Sequence, residues 1–212
     1  MKKIDYEDIK YKLIVIGDKN VGKTSILKRF KNNQFTGDYE PTVGLDFQSI
    51  PIFVDNISIA LLLYDTSGQE KFRSLIPLYT KDANIILLIY DITNNESFTN
   101  VEKWYNSLSN INKEEAIFIL IGNKIDLKDE RKVKEEDGKQ YADEHNYLFK
   151  EISALTGDGI EDLFLNIIIT QIRSHLLYKD KCINEEEEKL KFNLNQDKKQ
   201  EKTKRKCCDC IK

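Results

Sequence analysis

The chain has 212 residues, enough for one domain of roughly 150–200 residues and a tail. With 40% hydrophobic and 33% charged residues it reads as a globular chain with a sizeable core, and its net charge of -3 excludes a global electrostatic pull toward nucleic acid or a membrane surface. Its apolar runs are strand length, well short of the ~20 residues of a membrane span; the lysines at the start have no secretory-type apolar stretch behind them, and residue 2 is not the glycine that N-myristoylation needs.

From residue 11 to about 178, apolar runs alternate with helical patterns. "YKLIVI" reads as a buried strand and "KTSILKRF" as the opening of a helix. "LDFQSIPIFV" and "ISIALLLYD" read as a hairpin joined at Asp55-Asn56, with Pro51 placing the first of them at a sheet edge because proline cannot donate to a ladder. "NIILLIYDIT", "AIFILIG" and "YLFKEIS" supply three further strands. Phe98, Val101, Trp104, Tyr105 and Leu108 recur at helical spacing, as do Ile160, Leu163, Phe164, Ile167 and Ile168, and Thr93 with Glu96 predicts a capping box before the first of these helices. The alternation predicts an α/β fold with a mostly parallel sheet covered by helices on both faces. Beyond about Tyr178 the chain turns polar and charge-rich, which reads as a disordered tail, so the domain is expected over 1–178 and the tail over 179–212.

The stretch "GDKNVGKT" matches G-x-x-x-x-G-K-[ST] through Gly17, Gly22, Lys23 and Thr24, between a strand and a helix as the motif requires. Backbone N–H groups of such a loop turn inward around a polyanion, and the helix N-terminus adds partial positive charge. The expected phosphate-binding set is Asp18, Asn20, Val21, Gly22, Lys23, Thr24 and Ser25, with Lys23 reaching the β- and γ-phosphates and the Thr24 hydroxyl available to Mg²⁺. "LLLYDTSGQE" ends a strand in Asp65, suited to holding Mg²⁺ through water; Gly68 leaves an N–H for a γ-phosphate, and the Gln69 amide can orient an attacking water. "ILIGNKIDL" supplies Asn123, Lys124 and Asp126. A carboxylate there accepts from N1–H and the exocyclic amine of guanine, a donor pair adenine lacks. In "EISAL", the backbone N–H groups of Ser153 and Ala154 are candidates for the guanine oxygen.

These residues resemble the Ras superfamily of small GTPases over roughly 8–178, with the motifs in the family's order. The resemblance implies a Ras-like P-loop NTPase fold of three layers, its six-stranded sheet mostly parallel with one antiparallel edge strand. It further implies that Phe35 lies against the guanine ring beside the loop of Ser153, Ala154 and Leu155. Thr42 would bind Mg²⁺ and the γ-phosphate and join Gln69 and Lys23 in catalysis, and the switches would span about 35–47 and 65–80. "VGLDF", "KFRSL" and "LLIYDIT" look like the Rab branch, and "FRSLIPLY" is similar to its Golgi-associated subfamily. Tyr64, Ser67 and Leu155 depart from the tryptophan, alanine and lysine usual there, and Lys19 stands where Ras itself has glycine. The implied partners are GTP or GDP, an exchange factor, a GTPase-activating protein, a GDP dissociation inhibitor and effectors, with no nucleic acid and a monomeric state. The implied location is the cytoplasm, cycling to the cytosolic face of a Golgi or vesicle membrane. No arginine is placed to act from within the chain; Arg29 and Arg73 are candidates by proximity in sequence only.

All four cysteines, Cys182, Cys207, Cys208 and Cys210, lie beyond residue 180, so no disulfide framework staples the core. Basic residues from Lys198 to Lys206 precede the last three, which are expected to carry prenyl groups, the choice among Cys207, Cys208 and Cys210 being open. Two rival readings share the loop: an ATPase or nucleoside kinase, against which Asn123, Lys124 and Asp126 speak, and a nucleotide-binding module without turnover, against which Gln69, Thr42 and Lys23 speak.

Overall fold

The computed structural model describes residues 9–33, 35, 42, 44–55, 57–69, 75–108, 111–113 and 115–178. The tail with its cysteines, Arg73, and residues 36–41, 43 and 70–74 of the two expected switches lie outside the described residues. The chain divides into two compact units, Met1–Thr170 and Gln171–Lys212, the second described only over 171–178, which is helical.

The elements run β1 (Lys10–Gly17), α1 (Lys23–Asn32), β2 (Leu45–Val54), β3 (Ile57–Thr66), α2 (Ile76–Thr80), β4 (Ile85–Asp91), α3 (Asn95–Asn106), β5 (Ile117–Asn123), α4 (Glu135–His145), β6 (Leu148–Ile152) and a π-wound stretch, Asp162–Ile168. One six-stranded sheet has the order β2-β3-β1-β4-β5-β6, parallel throughout except for the antiparallel β2–β3 pair. The mostly parallel sheet is what the alternating pattern predicts, and six strands with one antiparallel edge strand are what the resemblance implies. The hairpin turns at Asp55, whose φ of 49° suits a tight reversal. Pro51 lies in the edge strand, opposite Ala60.

Every residue of β4 is buried, because helices cover both faces of the central sheet, so the strand reads as an unbroken apolar run. Alternate residues split between the faces. Ile14, Ile16, Ile86, Leu88 and Leu120 join Val101 and Trp104 of α3 and Ala142 of α4 in one core cluster. On the other face Phe30 of α1 stacks on Phe164 of the π-wound stretch, ring centroids 3.8 Å apart.

Helix α3 starts one residue later than the expected box. Asn94 is the N-cap and its side-chain oxygen accepts from the Glu96 N–H at 3.0 Å, whereas the Thr93 hydroxyl donates to Asp91 at 2.8 Å. Asn caps as well as Thr, and Asp91 offers Thr93 a charged acceptor, so the charged hydrogen bond decides the boundary. The chain leaves β1 for β3 on one side and returns to β4 on the other. A crevice therefore opens at the carboxyl end of β1, where α/β sheets bind ligands.

Candidate functional site

The loop from Gly17 to α1 occupies that crevice. Gly22 is the N-cap of α1 with φ 97°, no side chain caps the helix, and no acidic residue lies in its first turn. The first-turn N–H groups are thus left for an outside anion. A Cβ on Gly22 would come within 2.2 Å of Asn123 Nδ2, so only glycine lets the loop pack against the end of β5. The Lys23 ammonium is buried and donates to the carbonyls of Gly17 (3.0 Å) and Asp18 (2.7 Å), which leaves one proton for a phosphate oxygen. Burial pulls its pKa down to about 8, against the opposing pull of Asp65 and Asp18.

Three oxygen donors converge beside it. The Thr24 hydroxyl donates to Asp65 Oδ2 at 2.6 Å, Thr42 Oγ1 lies 2.9 Å from Thr24 Oγ1, and Thr42 also donates to Asp65 Oδ2 at 3.4 Å. Asp65 Oδ1 is buried with no hydrogen-bond partner, and burial raises the carboxyl pKa against those hydroxyls and Lys23. A buried orphan carboxylate oxygen beside two hydroxyls is a hard donor set, and it fits Mg²⁺, which takes one or two carboxylates and completes its shell with water and nucleotide phosphate. Among the described residues no group of three or more His, Cys, Asp or Glu forms a rival metal cluster.

A cavity of about 330 Å³ runs from this cluster to the ends of β5 and β6. It is lined at one end by Lys23, Thr24, Ser25, Thr42, Gly68 and Gln69 and at the other by Phe35, Asn123, Lys124, Asp126, Ala154 and Leu155, with Asn20 and Gly22 also on its wall. Its volume suits a nucleotide-sized ligand. Gly68 packs on the phosphate loop so closely that a Cβ would sit 2.4 Å from atoms of Asp18 and Lys19. The Gln69 N–H points to Ser67 Oγ at 3.4 Å, a contact the usual alanine at position 67 could not make.

The far end is tied together by side chains. Asn123 donates to the Val21 carbonyl at 2.8 Å and accepts from the Ala154 N–H at 3.1 Å, so it links the phosphate loop to the loop after β6. Lys124, at φ 72°, pairs with Asp91 at 2.6 Å. The Ser153 hydroxyl donates to Asp126 Oδ1 and orients that carboxylate, while the Ser153 N–H is taken by the Asp158 carbonyl at 2.9 Å. Ser153 therefore reaches the site through Asp126 and not through its own N–H.

Asp18, Val21, Asp65 and Ser153 stand behind the cavity wall, and the other expected site residues line it. Lys19, Lys28, Thr66, Ser67 and Leu127 line it as well. Lys28 was findable, since it follows Thr24 by one helical turn and shares its face. Arg29 is turned away from the phosphates: its Nε donates to the Ala154 carbonyl at 2.9 Å and its Nη2 to the Leu155 carbonyl.

A model of the Ras family matches residues 12–173. The match spans well over half of the chain and includes every residue named on the cavity wall. The chain therefore belongs to the Ras family: it is a small GTPase that binds guanine nucleotide with Mg²⁺ and works as a molecular switch.

Proposed function

We propose that this small GTPase is of the Rab kind, hydrolyses GTP slowly, and regulates vesicle traffic from the cytosolic face of a Golgi or transport-vesicle membrane. The observation that carries the switch is the convergence of Thr42 and Gly68, one from each expected switch, on the phosphate end of the cavity. In this reading Thr42 and the Gly68 N–H grip the γ-phosphate when GTP is bound and let go after hydrolysis. Gln69 orients the attacking water, and Lys23 holds charge on the phosphates from a buried position. Mg²⁺, held by Thr24 and Thr42 with Asp65 behind them, neutralises phosphate charge when bound. With Arg29 committed to the far loop, no cation from the described residues other than the lysines on the cavity wall reaches the reacting end. Turnover is then slow until a partner protein raises it by about 10³–10⁵.

The test is single-turnover phosphate release from preloaded GTP. Gln69→Leu keeps nucleotide binding and slows release by about tenfold or more. Equal rates in parent and variant would refute the role of Gln69.

Support for the Rab branch comes from "VGLDF", "KFRSL" and "LLIYDIT", and support for the membrane from the basic run ahead of Cys207, Cys208 and Cys210. Two prenyl chains anchor stably where one is marginal. The full chain expressed in a eukaryotic cell is expected to gain the mass of two prenyl groups and to pellet with membranes, and the variant with all three cysteines changed to serine to do neither. An unmodified parent would remove the anchor from this reading.

A further inference from the structure

The sequence places Asp18 among the phosphate ligands, yet its carboxylate belongs to α3. Asp18 is buried, Oδ1 accepts from Trp104 Nε1 at 2.7 Å, and Oδ2 accepts from Asn100 Nδ2 at 2.8 Å. The two donors are four residues apart on one helix face, so each oxygen has its own partner. Lys103 Nζ donates to Asn100 Oδ1 at 2.8 Å, which turns the amide so that its N–H₂ faces the carboxylate. A buried carboxylate without donors is costly, and here both lone-pair sets are met from a single rigid element.

The Asp18 main chain carries the ligand-gripping parts. Its carbonyl accepts from Lys23, and the Asp18–Lys19 peptide is the surface on which Gly68 packs. We propose that Asn100 and Trp104 are positioning residues for nucleotide binding: the helix clamps the phosphate loop through Asp18, and so sets where Lys23 and Gly68 meet the phosphates. Neither residue lines the cavity. Their effect on the nucleotide passes entirely through the loop. The proposal rests on guanine-nucleotide binding in this cavity, which the parent protein's own retention of GDP reports.

The full-length protein is loaded with a fluorescent GDP analogue and chased with excess GDP, with melting temperature measured in parallel. Trp104→Phe keeps an aromatic ring in the core and removes the N–H; Asn100→Leu keeps the bulk and removes the amide. Each is expected to release the analogue on the order of 10-fold faster. The double variant should lose less than the product of the two, since both act on one carboxylate. A lower melting temperature with an unchanged release rate would reduce both residues to packing and overturn the proposal. The unaltered chain gives a second reading, because Trp104 is its one tryptophan. Its indole N–H resonance is expected to shift, and its hydrogen exchange to quicken, when nucleotide is stripped with a chelator. A resonance that stays in place between loaded and stripped protein would overturn the clamp. A parent that retains no GDP would overturn the nucleotide-binding reading itself, and this role with it.

Discussion

Arg29 sits on the helix that receives phosphate, yet both carbonyls bound by its Nε and Nη2 belong to the loop beside Asp126. A planar guanidinium can span two adjacent carbonyls, which a lysine ammonium cannot reproduce. Holding Ala154 and Leu155 from behind fixes the wall against which a base would rest, at a position where Leu155 replaces the usual lysine. Arg29→Ala is expected to speed GDP dissociation by about tenfold, as befits the loss of hydrogen bonds to a charged donor at a half-exposed site. Arg29→Lys should recover only part of that. Release of a fluorescent GDP analogue measures both, and an unchanged rate in Arg29→Ala would remove this link. None of this is visible locally, since the partners lie 125 and 126 residues apart in the chain. Asp18 teaches the same lesson: a phosphate-loop aspartate reads as a ligand until its partners 82 and 86 residues away are in place.

At the level of elements, the strands stand out in the sequence, whereas α4 carries only a weak signal. The runs around β4 and β5 are buried on both faces and stand out as continuous apolar stretches. Helix α4, "EEDGKQYADEH", packs on the sheet through two of the smallest residues, Gly138 and Ala142, and so shows no apolar stripe. That close approach sets up a contest of magnitudes. Gly138→Ala gains about 1 kcal/mol of helix propensity. The new Cβ would fall 2.5 Å from the Tyr90 hydroxyl and 2.9 Å from the Phe149 ring, both rigid side chains. Overpacking of that kind costs about 1–3 kcal/mol, so the substitution is expected to destabilise on balance. A urea midpoint at or above the parent's would show that the interface yields. The capping error at Thr93 has an equally local cause, because the acceptor that captures it is Asp91, at the end of a strand.

For the whole molecule, the mostly parallel sheet and its edge hairpin followed from the alternating pattern and Pro51, whereas the order of the strands came only with the structure. So did the molecule's acid–base behaviour, since burial decides it. Burial lifts the phenol pKa of Tyr11 to about 12 and raises those of Tyr90, Tyr141 and Tyr147 as well. A raised folded-state pKa means the native protein holds these protons more tightly than the unfolded chain does. The associated stability is complete below the unfolded value near 10 and is lost as pH climbs through about 12. Lys23, whose pKa burial lowers to about 8, pulls the other way and adds stability as pH rises from there toward its unfolded value, so denaturation midpoints are expected to rise first and to fall only beyond about pH 10, in step with phenolate absorbance. A flat profile to about pH 12 would contradict it. The border strand β2 has a consequence of another kind. Its ladder with β3 is continuous from Leu45 to Val54 through Pro51, so the donor that proline lacks is one that would have faced outward. A foreign strand laid along that border meets a missing rung and a ring in its path. Copies crowded together at high concentration can thus lie flank to flank without seeding a fibril.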